Sequence, residues 1–335
     1  MMQESTQERP LVTFALFAYN QEKYIREAIE GAFAQTYEPL EIILSDDCST
    51  DRTFEIMREM ASEYKGPHRV VARKTKQNRG TFNHVLEVYG EMSGKLMILS
   101  AGDDISYENR CSVIVDDWKK SGVKVLFSNF EKISDSGESL GVDESSGDKE
   151  IMGWFSAEKR QEFNHGATTA YDRCMFDGLP YSETPVFSED AVFYFIASIR
   201  KYEIRKVREP LVKYRQSINS ISNASHPKIG KSDIEDFERK ISWMADSYIS
   251  LCDYILRFLS NDFEHVEIKK RVMKTRRFAV IRKEWLRRDI LGRLGLILMC
   301  RDSREFRFLA PRLLGLNYFS TVKSRSVRME KTYRS

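Results

Sequence analysis

Leu11 to Ala18 reads LVTFALFA, a nearly continuous apolar run of strand length. Such a run fits a strand buried on both faces, as in a sheet covered by helices. After Tyr19-Asn20 the period changes. Tyr24, Ile25, Ala28, Ile29, Ala32 and Phe33 recur at three- and four-residue steps, the spacing of one helix face. Leu40 to Ser45 (LEIILS) is a second strand, so strand to strand takes about 30 residues, the length of one βαβ unit.

The alternation continues. Phe54 to Tyr64 reads as a helix, Arg69 to Arg73 as a short strand, Phe82 to Met92 as a helix and Leu96 to Ser100 as a strand. Asn109 to Lys120 is a helix and Val123 to Ser128 a strand. This pattern predicts an α/β fold: an open, mostly parallel sheet with helices on both faces. From Asp135 to Lys149 the chain turns polar (DSGESLGVDESSGDK), which predicts a loop. Short strands follow around Thr168 to Tyr171 and Leu211 to Tyr214, with a helix from Asp190 to Lys201. Helical patterns then run from Lys231 to about Leu259 and from Glu264 to Leu291. The expected division is an α/β body over 1–228 and a basic helical region over 229–335.

Net charge is +3, which hides an asymmetry. Residues 268–335 hold 20 Lys+Arg against 5 Asp+Glu, a balance of +15, which leaves 33 basic and 45 acidic residues elsewhere, or −12. A basic end on an acidic body calls for an anionic partner. This end mixes Arg and Lys with large apolar residues, as amphipathic segments on anionic membranes do. Packing on the body or on a second copy in a homodimer is the competing reading. No stacking-rich nucleic-acid module accompanies the charge, so nucleic acid is not expected as a partner. The five cysteines form no C-x-x-C pair, which argues against a zinc ribbon and a disulfide scaffold. With no apolar leader and no membrane-length apolar run, a cytoplasmic protein is expected, peripheral on the inner membrane face where the basic end docks.

Ligands of open parallel sheets sit outside the carboxyl ends of the strands. Two acidic pairs fall there: Asp46-Asp47 after LEIIL, and Asp103-Asp104 after LMILS through Ala101-Gly102. Carboxylates crowded on one rim repel, and a hard divalent cation relieves the repulsion while holding a diphosphate. Turn chemistry or helix capping would explain either pair alone. Glu189-Asp190 opens an apolar helix. Asp190 there is either an N-cap or a general base toward an attacking hydroxyl.

Taken together these segments resemble the family 2 glycosyltransferases, which have the GT-A fold. The likeness covers roughly residues 10–225, and it implies that 1–228 is a catalytic domain with a nucleotide-binding part over about 10–130 and an acceptor part over about 150–225. It is carried by the strand, Tyr19-Asn20, a helix ending in Gln-Thr-Tyr, and the second strand with Asp-Asp-x-Ser-x-Asp. Gln77-Asn78-Arg79-Gly80, Gly94-Lys95 before LMILSAGDD, Ser188-Glu189-Asp190 and the closing segment Glu209 to Arg215 continue it. The resemblance implies an inverting, metal-dependent transfer of sugar from a nucleotide diphosphate, most commonly uridine diphosphate, to a hydroxyl of a glycan or lipid-linked acceptor. By analogy the setting is bacterial surface polysaccharide synthesis.

The resemblance assigns roles by position. Ala18, Tyr19, Asn20, Asp47 and Arg79 would bind the donor, with Tyr19 against the base and Asp47 accepting a hydrogen bond from it. Asp103 would contact the ribose or the water shell of the metal. Asp104 would coordinate Mn²⁺ or Mg²⁺, and Asp190 would be the base. Glu189, His165 and Trp154 would lie on the acceptor side. Two positions depart from the family. Cys48 stands where many relatives have glycine, and reads as a small packed side chain. Ser217 stands where relatives often carry a histidine; His226 is a candidate substitute, with a solvated loop histidine as the competing reading. A nucleotidyltransferase would want a glycine-rich loop after the first strand, where Tyr19-Asn20-Gln21-Glu22 stands. A non-catalytic membrane scaffold would not need Asp104 and Asp190.

Overall fold

The computed structural model describes residues 9–143, 166–186, 188–216, 234–260, 264–287 and 290–298. The chain divides into two compact units, residues 1–227 and 228–335. The first begins with β1 (Val12–Ala18), α1 (Ile25–Phe33), β2 (Leu40–Asp46), α2 (Thr53–Glu63), β3 (Arg69–Lys74), α3 (Gly80–Glu91) and β4 (Leu96–Ala101). It continues through β5 (Ile105–Ser106), α4 (Arg110–Ser121), β6 (Val125–Ile133), β7 (Ser139–Asp143), β8 (Thr169–Asp172), α5 (Glu189–Ile199) and β9 (Ile204–Arg215).

Among the described residues one sheet holds nine strands in the order β3-β2-β1-β4-β8-β6-β9-β5, with β7 added on β6. The half built from β3, β2, β1 and β4 is parallel throughout. Beyond β4 the pairing becomes mixed, because β8 runs antiparallel to both β4 and β6. Side chains alternate across the sheet, so Val12, Phe14 and Leu16 bury against α1, α2 and α4 through Ile25, Ile29, Met57 and Ile114. The opposite face carries α3 and α5, where Phe17 meets His84 edge-on at 5.0 Å and Phe82 meets Phe193 at 5.4 Å. This is the GT-A arrangement. The register pairs Ala18 with Asp46, and Phe17 with Ala101, so β1, β2 and β4 end at one level. Every loop that leaves this rim is therefore a neighbour of the others.

Three elements differ from the sequence reading. β9 spans twelve residues, where only Leu211 to Tyr214 reads as strand. Its charged stretch and Pro210 hide it: a bulge opposite Asn129 accommodates the proline, and Asn129 donates to the Arg208 carbonyl at 2.6 Å. β7 lies inside the polar stretch read as loop. It is almost wholly exposed and pairs only with β6, so it needs no apolar alternation. β5 is two residues long, too short to leave a periodic signal, yet its pairing of Ile105 with Lys213 draws the loop before it to the end of β9.

The second unit contains α6 (Ile234–Phe258), α7 (Val266–Arg287) and α8 (Ile290–Leu298). The helical pattern from Glu264 to Leu291 thus resolves into two helices. Arg276 pairs with Asp253, and Lys283 with Asp246, so α6 and α7 run antiparallel. Val272, Ala279 and Trp285 of α7, and Leu251 and Ile255 of α6, are buried. Leu291, Leu294 and Leu298 lie on one side of α8 and are exposed, at 77%, 39% and 87%. Among the described residues no helix is long and apolar enough to cross a membrane.

Candidate active site

The loop after β1 is laced to the loop after β2. Asn20 adopts a left-handed backbone (φ 53°), and its Oδ1 accepts the Thr50 N–H at 2.8 Å. Its own N–H donates to Ser49 Oγ at 2.8 Å, and Gln21 N–H donates to Thr53 Oγ1 at 2.8 Å. Ala18 is buried, whereas Tyr19 is 46% exposed with its ring on the rim. Cys48 is a half-buried free thiol with φ 65°. That conformation explains the glycine of related sequences: a left-handed residue without Cβ avoids the clash that Cys48 bears.

Asp47 is buried, and its carboxylate fastens the start of α3. Oδ1 accepts the Arg79 N–H at 2.8 Å and the Thr75 hydroxyl at 3.1 Å, and Oδ2 accepts the Gly80 N–H at 3.0 Å. Two orphan donors of the helix N-terminus are thereby satisfied from another strand. Burial raises the Asp47 pKa against these hydrogen bonds. The Arg79 guanidinium pairs with Glu87 at 2.8 Å and lies over the Tyr181 ring.

Asp104 is 1% exposed. Its Oδ1 accepts the Arg215 backbone N–H at 2.9 Å, while its buried Oδ2 has no hydrogen-bond partner among the described residues. Burial and the adjacent Asp103 carboxylate push its pKa well above the ordinary range. An ionised oxygen left in that state is costly, and a cation is the partner that would relieve it. No three His, Cys, Asp or Glu side chains converge on a cation cage among the described residues. The donor set fits a cation that takes one or two carboxylates and completes its shell with water and substrate phosphate. Asp103 is half-buried, and burial raises its pKa against the Gln21 side-chain hydrogen bond and the Arg215 charge.

Two fully buried arginines frame this loop. Arg110 donates to Ser106 Oγ at 2.9 Å and to the Leu99 and Ala167 carbonyls at 2.6 and 2.8 Å. Arg215 donates from Nε to the Asp103 carbonyl at 3.0 Å, and from Nη2 to Glu27 at 2.7 Å. The sequence reading placed Arg215 in a motif without giving it a task and left Arg110 out. Only a buried charge in three dimensions marks them, since their partners lie as far as 188 residues away.

Glu189 and Asp190 occupy the first turn of α5, where Ser188 is the N-cap residue. The N-cap reading of Asp190 is thereby corrected. Asp190 Oδ1 accepts the Ala191 N–H at 2.7 Å. Burial pushes Asp190 up to about 6, and burial plus the Asp190 charge pushes Glu189 up to about 8. A Cβ on Gly166 would fall 2.0 Å from Glu189 Oε1, so the segment leading into β8 lies against this pair. Glu189 also receives a hydrogen bond from Thr81 at the start of α3. The contacts therefore run from Asp47 through α3 to Glu189-Asp190, then through Gly166-Ala167 and Arg110 to the strand end that bears Asp104. Trp154, His165, Ser217 and His226 lie outside the described residues.

The fold and rim define a GT-A protein. The glycosyl transferase family 2 model matches residues 13–179, and the chain belongs to that family. It is 33% identical over 102 residues to the putative glycosyltransferase EpsE of Bacillus subtilis, covering 30% of this chain and 36% of that one. The chain spans between about a fifth and two fifths of the length of the curated relatives it matches. Among solved structures, Staphylococcus aureus TarS 1-349 in complex with UDP-GlcNAc superposes with a TM-score of 0.54 at 16% identity, over 92% of this chain and 93% of that one. The mannosyltransferase PcManGT of Pyrobaculum calidifontis, in complex with GDP-Man and Mn²⁺, gives 0.54 at 14% identity over 95% and 84%. At these identities the two structures speak for the fold.

Proposed function

We propose that this protein is an inverting glycosyltransferase that moves a sugar from a nucleotide diphosphate, most simply a UDP-sugar, to a hydroxyl of a glycan or lipid-linked acceptor. The observation that carries this reading is the buried Oδ2 of Asp104, without a hydrogen-bond partner among the described residues, on the rim that also bears the loops of Tyr19 and Asp47. Asp104 would hold Mn²⁺ or Mg²⁺, with Asp103 beside it. Bound there, the cation supplies positive charge to the departing diphosphate. Tyr19 offers an exposed ring to the base, and Asp47, with Arg79 at the start of α3, would bind it from the other loop.

Asp190 would take the proton of the acceptor hydroxyl as its oxygen attacks the anomeric carbon from the face opposite the diphosphate. One displacement with one base inverts the configuration, and no covalent sugar intermediate is formed. Its pKa of about 6 leaves it ionised at neutral pH yet basic enough to accept a proton. The half-buried Glu189, of higher pKa, would be protonated then and would lie on the acceptor side, as would His165 and Trp154.

The domain division serves this chemistry: residues 1–228 carry it and 229–335 dock. Exposed leucines on α8, in a segment with a balance of +15, suit the surface of an anionic membrane where a lipid-linked acceptor is found. Surface polysaccharide synthesis at the inner face of the membrane is the setting we assign. A thermal-shift screen of nucleotide sugars with and without Mn²⁺ tests the reading. The donor should raise the melting temperature in the presence of Mn²⁺. No shift with any nucleotide sugar under either condition would refute it.

A further inference from the structure

Arg215 is 1% exposed and lies at the end of β9, remote in sequence from every group it holds. Its Nε binds the Asp103 carbonyl at 3.0 Å, and its backbone N–H binds Asp104 Oδ1 at 2.9 Å. Its Nη1 donates to the Ser134 and Asp135 carbonyls at 3.3 and 2.9 Å, in the turn between β6 and β7. Its Nη2 is paired with Glu27 of α1 at 2.7 Å, and its guanidinium lies 4.8 Å from the centre of the Tyr24 ring. The Asp135 carboxylate returns to α1 and the loop before it through Tyr24 and Lys23.

A planar guanidinium with donors in a fixed fork sets the relative positions of everything it binds. Lysine, a single point charge, would hold fewer of these groups at once. Here the groups are the backbone and side chain of the Asp103-Asp104 loop, the β6–β7 turn and the first turns of α1. The last of these continues directly from the Tyr19-Asn20 loop. Glu27, 50% exposed as a side chain, lies within ion-pair distance of the Arg215 guanidinium, so it fixes which way the fork points.

We propose that Arg215 is a positioning residue which, oriented by Glu27, holds the Asp103-Asp104 loop in the form that accepts the cation. This inference rests on the reading of Asp104 as cation ligand given above. Arg215 touches neither cation nor sugar. It removes the freedom of the loop, so the cation meets Asp104 already aligned with the nucleotide loop.

The test uses the full chain and the Mn²⁺ ion, titrated with UDP or GDP present, with free Mn²⁺ read by electron paramagnetic resonance. Glu27→Ala should weaken Mn²⁺ binding about fivefold or more, and Arg215→Lys at least as much. Glu27→Gln, which keeps an acceptor for Nη2, should recover part of the loss. Arg26→Ala removes the neighbouring exposed pair with Glu59 on the same helix and should leave Mn²⁺ affinity unchanged. That control separates positioning from a general weakening of α1, and Glu27→Ala keeps the test open if the buried Arg215 variant does not fold. Mn²⁺ affinity within twofold of wild type in Glu27→Ala and in any folded Arg215→Lys overturns the inference while leaving the function standing. Absence of nucleotide-dependent Mn²⁺ binding by the wild type overturns both.

Discussion

Gly102 lies so close beneath Ala18 that a Cβ on it would stand 2.7 Å from the Ala18 Cβ. The Gly102 N–H donates to the Phe17 carbonyl at 2.8 Å, so the loop of the second acidic pair is pressed against the loop after β1. The two loops to which donor and cation are assigned are thus one packed unit.

Gly102→Ala should force these loops apart. Overpacking of this kind costs about 1–3 kcal/mol. A lowered unfolding midpoint in urea, with weaker nucleotide diphosphate binding, is the expected outcome. Unchanged binding would separate the loops functionally.

Asp190→Asn should retain donor binding and lose roughly 10²–10⁴-fold in turnover, the range for removal of a general base. In the wild type, activity should rise with pH through about 6, as Asp190 loses its proton. Glu189→Gln should keep that limb near 6, because Glu189, at about 8, still carries its proton there. Both folded pKa values lie above the unfolded ones. The stability these groups contribute is therefore present below about pH 4 and is lost as pH rises through about 6 and then 8. Glu189→Gln should accordingly stabilise the metal-free protein more at pH 8.5 than at pH 5, a difference that thermal melts would show. A pH–rate profile whose limb moves with Glu189→Gln would assign the base to Glu189 instead.

Cys48→Gly should leave the fold intact and raise its stability by up to about 1 kcal/mol. The left-handed position costs a residue with a Cβ about 1–2 kcal/mol, and the extra freedom of glycine in the unfolded chain offsets part of the gain. Denaturant melts measure this. A clear loss of stability would mean that the thiol packs more tightly than its half-buried position implies.

Truncation after Ser260 should reduce binding to anionic liposomes, since it removes α7, α8 and the +15 segment. Sedimentation with phosphatidylserine-containing vesicles at two salt concentrations reads the effect. Equal binding by the truncated protein would leave the helices a packing role.

The parallel half of the sheet was legible because β1, β2 and β4 are apolar on both faces, and the residues that follow them stand at the rim by topology alone. Asp47 and Asp104 could be singled out for that reason, whereas Asp190 was marked by its place at the start of an apolar helix and by the Glu-Asp motif of the resemblance. What Asp47 holds could not: its partners are backbone N–H groups of Arg79 and Gly80, which carry no sequence signal. Arg110 and Arg215 look like ordinary surface charges in a sequence, and only folding shows them with no water around them. β9 escaped because a bulge at Pro210 and an exposed, charged face break its alternation. The polar loop expected at Asp135 hides β7, whose pairing rests on backbone hydrogen bonds to β6 and not on burial.

Most directly at stake is Asp104 as the proposed ligand of a cation that would meet a departing diphosphate. Isothermal calorimetry of UDP and GDP binding, with and without Mn²⁺, compares the wild type with Asp104→Ala. Mn²⁺-dependent binding is expected of the wild type and none of the variant, with both proteins folded. Equal Mn²⁺-dependent affinity in the two would contradict it.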